Sequence, residues 1–331
     1  MYFGALFVCH YAQVNSTKKS LSAVRFLIPL VVPFVCFIFL SELEGLIPLD
    51  GTQQIIVLTT MNIAAIVATF IFFPTLLMLL WGCPKLENSP CTHELGELCH
   101  RANFKYSSFR LWEVMDGAAT AAIVGIFGRF RYILFSRDLF SRFPPQAIKA
   151  VLAHEIGHSY HRHLLIYPFI FSGMIVLGYD AVISLYNPLF GQTGMLVHFF
   201  AFSSDLSWVI VQFVVFSILI LAIALYFRFV FGYFSRLFER QADLHVFAVG
   251  IEAEDMIKAL DLLGAISGNT HDEPNWHHYS IRERILFLQE VINNPTLIEK
   301  HHRHVRYSLI GYSCILMLFF AYFIVNIEVF L

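Results

Sequence analysis

Five apolar runs punctuate the chain, and the polar stretches between them are of two kinds. The runs are Ala23–Leu40, Ile55–Trp81, Leu164–Tyr186, Trp208–Phe231 and Tyr307–Val325. A helix needs about 20 apolar residues to cross a bilayer, and four of the runs come close to that or exceed it. The first is shorter and carries Pro29 and Pro33, which membrane helices tolerate where neighbours satisfy the freed carbonyls. Met1–Ala12 is apolar but too short to span, and reads as an interfacial segment. The loops at 43–54 and 187–207 are short and hold no Lys or Arg, whereas Lys85–Ala150 and Ser235–Arg306 are long and charged. The pattern predicts a mainly α-helical, polytopic membrane protein of about five spans, with one soluble domain delivered in two pieces. The expected divisions are a membrane hairpin over 1–84, a soluble part over 85–163, a membrane hairpin over 164–234, a second soluble part over 235–306 and a membrane helix over 307–331.

Inside the first soluble part, Ala118–Gly125 is small and apolar and Arg131-Tyr-Ile-Leu-Phe-Ser136 reads as a strand. Together they predict a small β-sheet; the second soluble part is helical in pattern. Basic residues set the orientation. Lys18, Lys19 and Arg25 lie at the start of the first span, with no small-residue cleavage site after it, the pattern of a retained anchor. The two soluble parts carry nearly all the other Lys and Arg, which places both in the cytoplasm and the C-terminus outside. Asp180, inside the third span, is a polar residue where the bilayer penalises one.

Composition agrees with this and narrows the partners. The chain is 57% hydrophobic and 14% charged, against about half and a quarter for soluble domains. A net charge of -2 and the lack of a Lys/Arg-rich block exclude nucleic acid as a partner. The six cysteines form no C-x-x-C pair, and Cys83, Cys91 and Cys99 do not have the spacing of a zinc ribbon. They read as reduced and structural.

The candidate chemistry begins at Val151-Leu-Ala-His-Glu-Ile-Gly-His158. Proline at Pro145 followed by strong helix formers predicts a helix here. His154 and His158 then leave the same face and can share one metal ion, with Glu155 between them to act on a water at that ion. Taken alone, the pentad also fits two helical histidines at a membrane surface. A hydrolytic zinc site wants three protein ligands and one open position. Glu239 and Asp243, four residues apart, offer a ligand and an acceptor to fix a histidine tautomer; by themselves they equally fit an acidic pair on a solvated helix beside Arg236 and Arg240. Thr92-His-Glu-Leu-Gly-Glu imitates the pentad but lacks its second histidine, and reads as an amphipathic surface helix. His161 reads as a surface residue, and His301-His-Arg-His304 as an interfacial basic patch ahead of the fifth span.

The pentad, the later Ser235-Arg-x-x-Glu-x-x-Ala-Asp243 and the membrane hairpin between them resemble the integral-membrane zinc metallopeptidases of the HtpX and type I CAAX prenyl protease family, the HtpX-like members most closely in layout. The lead-in Ala147–Ala153, His163 after the pentad, His278-Tyr-Ser-Ile-Arg-Glu-Arg284-Ile285 and Thr120-Ala121 to Gly125 extend the likeness over roughly 100–290. Tyr279 stands where the family usually has proline, and Thr120 where it has asparagine. The resemblance implies one zinc ion per chain held by His154, His158 and Glu239, with Glu155 as general base and Asp243 orienting His154. It further implies that His278 stabilises the oxyanion, His277 being the neighbouring candidate. Arg284 would brace the site or bind substrate backbone. Thr120, Ala121 and Gly125 would pair with an extended substrate by strand addition. The implied activity is a zinc endopeptidase acting on membrane or membrane-proximal proteins, in quality control or in processing lipidated C-termini. The implied location is a multi-pass one in the bacterial inner membrane, or an organelle's, with the site facing the cytoplasm. The rival readings are a metal transporter and a catalytically silent zinc-binding scaffold.

Overall fold

The computed structural model describes residues 16–44, 51–115, 117–190, 205–273, 276 and 278–330. The expected interfacial segment Met1–Ala12 and the candidate His277 lie outside them, as does the side chain of Asp180. The chain divides into two units, Met1–Ile156 with Val246–Leu263, and Gly157–His245 with Gly264–Leu331.

The first unit opens with two helices, α1 (Ser16–Glu44) and α2 (Gly51–Leu80), which pack together. Next come α3 (Pro90–Arg101), β1 (Ser108–Leu111), β2 (Ala121–Val124), β3 (Tyr132–Phe135), the short α4 (Arg137–Arg142) and α5 (Pro145–Tyr160). Helix α3 starts because Ser89 accepts from the Thr92 amide while Thr92 reaches back to the Ser89 N–H, a reciprocal cap. The sheet order is β1-β3-β2, with β3 parallel to β1 and antiparallel to β2. Every residue of β3 is buried, as expected of a central strand. Strand β1 has no counterpart in the sequence reading. Strand β2 pairs only with β3 among the described residues, so its other edge is open. Its end is fixed by Gly125 at φ +105°, where a Cβ would collide with the Phe130 carbonyl oxygen. The core of this unit joins Leu77, Met78 and Trp81 of the membrane helix and the turn after it to Trp112, Met115, Tyr132 and Leu134.

The second unit takes over within α5, at Gly157. It contains α6 (His163–Phe190), α7 (Asp205–Tyr226), a five-residue π-helical turn at Phe227–Phe231 and α8 (Gly232–Asp243). After α9 (His245–Ala248) and α10 (Ala253–Ile266), which lie mostly in the first unit, the second unit resumes with α11 (Ile281–Asn293) and α12 (Thr296–Phe330). Helix α12 runs unbroken through the expected division at 306. It packs on α6 and α8, and the shared core is Ile170, Phe231, Phe234, Leu237, Phe238, Val305 and Tyr312.

Among the described residues, Gly51–Leu80, Phe213–Ala248 and Thr296–Tyr322 are long and apolar enough to cross a membrane. Arg25–Phe39 and His163–Gly178 are shorter apolar stretches of α1 and α6. These are the five places where the sequence puts spans.

A candidate metal centre

Two helices build the site, and each adjoins an apolar one: α5 leads into α6, and α8 follows α7. Helix α5 carries His154, Glu155 and His158, and α8 carries Glu239 and Asp243. The close approach that α8 makes to Gly157 depends on glycine. A Cβ there would meet the Cβ of His245 at 2.7 Å and the Ala242 backbone at 3.0 Å, and atoms that close must shift. Hence the small residue inside the pentad has a packing reason.

One ligand atom from each of His154, His158 and Glu239 lies within 4.8 Å of the others, the single such group among the described residues. His158 Nε2 stands 3.4 Å from Glu239 Oε1. That is longer than a good charged hydrogen bond. It does match the separation of about 3.4 Å between two ligands that each lie about 2.1 Å from a tetrahedral zinc. The donor set of two imidazoles and a carboxylate is also one that zinc takes in hydrolytic sites. These residues therefore fit the ion that the resemblance implies.

Glu239 is buried, and its carboxylate is compensated from several sides. His278 Nδ1 lies 3.3 Å from Oε1, and the Arg284 guanidinium lies 3.5 Å from Oε2. Arg284 also donates to both oxygens of Asp243, Nε to Oδ2 at 2.8 Å and Nη2 to Oδ1 at 2.6 Å. This bidentate pair is buried, and its planar fork holds both carboxylates of α8 from α11. Ser280 caps α11 through the Glu283 amide and so places Arg284 one turn inside the helix. Arg284 thus contacts both carboxylates of α8. Tyr279, the departure from the family's proline, puts its ring 3.7 Å from the Arg240 guanidinium, which Phe287 also faces at 4.6 Å. An arginine beside the site is thereby held by aromatic faces.

Thr120, Ala121 and Gly125 lie on or beside β2, where Thr120 donates its amide to Ser136 Oγ and accepts from the Ser136 amide. Those bonds face β3; at the other edge the Thr120 hydroxyl donates to the Ala121 carbonyl oxygen at 3.4 Å.

Two expectations are corrected. His161 is not a surface residue: it is half-buried, with the rings of Tyr160, His163, His245 and His302 within 5.9 Å. Burial first, then the charges of neighbouring imidazoles, push its pKa down to about 3. The run His301–His304 is exposed only in part: His301 is buried and bonds the Leu237 carbonyl oxygen, and His302 is half-buried and bonds Gln241, whereas Arg303 and His304 are exposed. The physical reason is shared: α12 packs on α8, so the face of its polar turn that carries His301 and His302 is covered by protein. Gln241 went unnoticed in the sequence; its position two residues after Glu239 was the available signal. The pentad's imitation behaves as expected, with His93 and Glu97 both exposed.

Comparison with known proteins completes the description. The profile of Peptidase family M48 matches residues 86–291, more than half of the chain. No match was found among curated proteins. Among solved structures, the crystal structure of S. mikatae Ste24p is similar to this chain with a TM-score of 0.53 at 20% identity. The likeness covers 82% of this chain and 65% of that one, so the chain spans about two thirds of the length of Ste24p and shares its fold. With its family profile running from just after α2 into α11, the chain belongs to peptidase family M48.

Proposed function

We propose that the protein is a membrane-embedded zinc endopeptidase that hydrolyses peptide bonds of membrane or membrane-proximal proteins from the cytoplasmic side. The observation that carries the reading is the convergence of His154, His158 and Glu239 within 4.8 Å, with Glu155 between the two histidines. A closed structural site would fill a fourth position with protein and would have no use for that glutamate. A transporter would set its ligands in the apolar middle of the spans.

A zinc ion, when bound, supplies Lewis acidity and a nucleophile at neutral pH. Glu155 takes the proton of the attacking water and passes it to the leaving amine. His278 donates to the oxyanion as the peptide carbon becomes tetrahedral. Arg284 holds the Glu239 and Asp243 carboxylates in place, so that neither has to reorganise during the reaction. The open edge of β2 supplies backbone donors and acceptors to an extended substrate, and Thr120, Ala121 and Gly125 frame it. The five-part division of the chain into membrane and soluble segments belongs to this proposal, as does a bacterial inner membrane as the setting.

Within it, quality control of misfolded membrane proteins is preferred over processing of lipidated C-termini. The support is the layout, in which two apolar runs, Ala23–Leu40 and Ile55–Trp81, stand immediately ahead of the family segment. The test offers purified protein an unfolded membrane protein and, separately, a prenylated C-terminal peptide, each with and without a chelator. Chelator-sensitive cleavage of the first substrate alone is expected. Cleavage of the peptide alone would replace quality control by processing, and cleavage of neither would favour the silent scaffold.

A further inference from the structure

Behind His158, on the side away from Glu239, a line of polar side chains runs through the second unit. His158 Nδ1 and His163 Nδ1 are 2.9 Å apart. His163 Nε2 is 3.0 Å from Gln241 Oε1, and Gln241 Nε2 is 2.9 Å from His302 Nδ1. The chain has bent to make this possible. Helix α5 ends at Tyr160, Arg162 takes a left-handed φ of 59°, and α6 begins with His163 folded back onto His158. A non-glycine residue rarely adopts that backbone unless its surroundings require it. His163 is 1% exposed and stacks on Phe238 at 4.3 Å between ring centres.

With the Gln241 amide oxygen toward His163, hydrogen-bonding capacities give the line a direction. The amide oxygen of Gln241 can only accept, so His163 donates from Nε2. Its amide nitrogen can only donate, so His302 Nδ1 accepts. A histidine this buried is neutral, because an imidazolium without water is too costly, and it therefore has one N–H. With that proton on Nε2, His163 Nδ1 is an acceptor, and the donor facing it must be His158 Nδ1–H.

We infer that His163, Gln241 and His302 form a relay that fixes His158 as the Nδ1–H tautomer, so that its Nε2 lone pair is presented beside Glu239 for the metal. The three are positioning residues: they touch neither substrate nor metal and act through His158. A ligating histidine commonly gives its second N–H to one carboxylate or carbonyl. Here the acceptor is another imidazole, whose own tautomer is set by an amide. The relay is all-or-none. Its reverse requires the Gln241 amide to turn over and puts a proton on His158 Nε2, which then faces Glu239 Oε1 at 3.4 Å and closes the lone pair to a metal. Gln241 is thus the element that selects between a metal-ready and a metal-blocked site.

This rests on the zinc reading, and the test keeps the two apart. It uses the full chain in detergent, with zinc affinity measured by chelator competition and histidine tautomers by 15N NMR of the metal-free protein. His163→Phe keeps the stacking on Phe238 and loses both bonds; zinc binding is expected to weaken by about 10–100-fold, the usual cost of losing such a partner. Gln241→Leu weakens it similarly. Gln241→Glu is the discriminating variant. A carboxylate can only accept from His163 Nε2, which locks the metal-ready direction, so affinity stays within about 3-fold of wild type. A merely structural role predicts the opposite order, because a buried carboxylate is harder to accommodate than leucine. The metal-free wild type should show His158 protonated at Nδ1. Protonation at Nε2, or wild-type affinity in His163→Phe, would overturn the relay. Wild type that binds no zinc would defeat the peptidase reading, and the tautomer spectrum would still decide the relay.

Discussion

A single helical run from Asp205 to Asp243 passes through two different solvents, and its halves obey opposite rules. In α7, large apolar side chains point outward: Phe213 is 69% exposed, Phe216 59% and Leu221 58%. In α8, which follows the π-helical turn, Ser235, Glu239, Gln241 and Asp243 are all buried together with Phe234, Leu237 and Phe238. Lipid accepts the first half because hydrocarbon has no quarrel with phenylalanine and every backbone bond is made within the helix. Protein accepts the second half only because each buried polar group has been given partners: Arg284 for Asp243, His163 and His302 for Gln241, His158 and His278 for Glu239. Burial therefore reports the identity of the solvent as much as the nature of the residue.

That contrast can be broken from its polar end with the largest effect. Arg284→Leu strands two buried carboxylates, and a buried ion pair stripped of one partner costs about 3–5 kcal/mol. A fall in melting temperature of the metal-free protein is expected, and an unchanged one would mean that water reaches α8. Gly157→Ala comes next. Its Cβ has no room against Ala242 and His245, and overpacking of this kind costs about 1–3 kcal/mol. Zinc affinity should fall with it, because the collision forces α8, and Glu239 with it, to move; full affinity would show that the two helices are less tightly seated. Leu221→Ala sits at the opposite extreme. Its side chain leaves no cavity behind, so the change should stay within about 0.5 kcal/mol in the same melting assay. A larger loss would indicate that α7 is covered by protein.

What the sequence made legible followed the range of the signal. The HExxH helix and the five apolar stretches are local patterns, readable from spacing and run length alone. Glu239 was legible because Ala242 and Asp243 follow it in a family pattern. Strand β1 was missed because its parallel pairing with β3 is made across the whole of β2 and the turns around it, and four residues carry no period of their own. His161, Gln241 and His302 were misread or passed over for a related reason. A polar residue on a helix is assigned to water unless something says what covers it, and here the cover is α12 lying on α8. The pairing of Arg284 was half legible: the residue was identified, but its partner Asp243 lies on another helix.

The most direct test of the central claim compares wild type with Glu155→Gln, purified side by side, for zinc per chain and for cleavage of an unfolded protein. Near-stoichiometric zinc in both, with chelator-sensitive cleavage by wild type alone, is the predicted result, because the substitution removes the base and leaves the ligands. Absence of zinc from the wild type, or undiminished cleavage by Glu155→Gln, would contradict it.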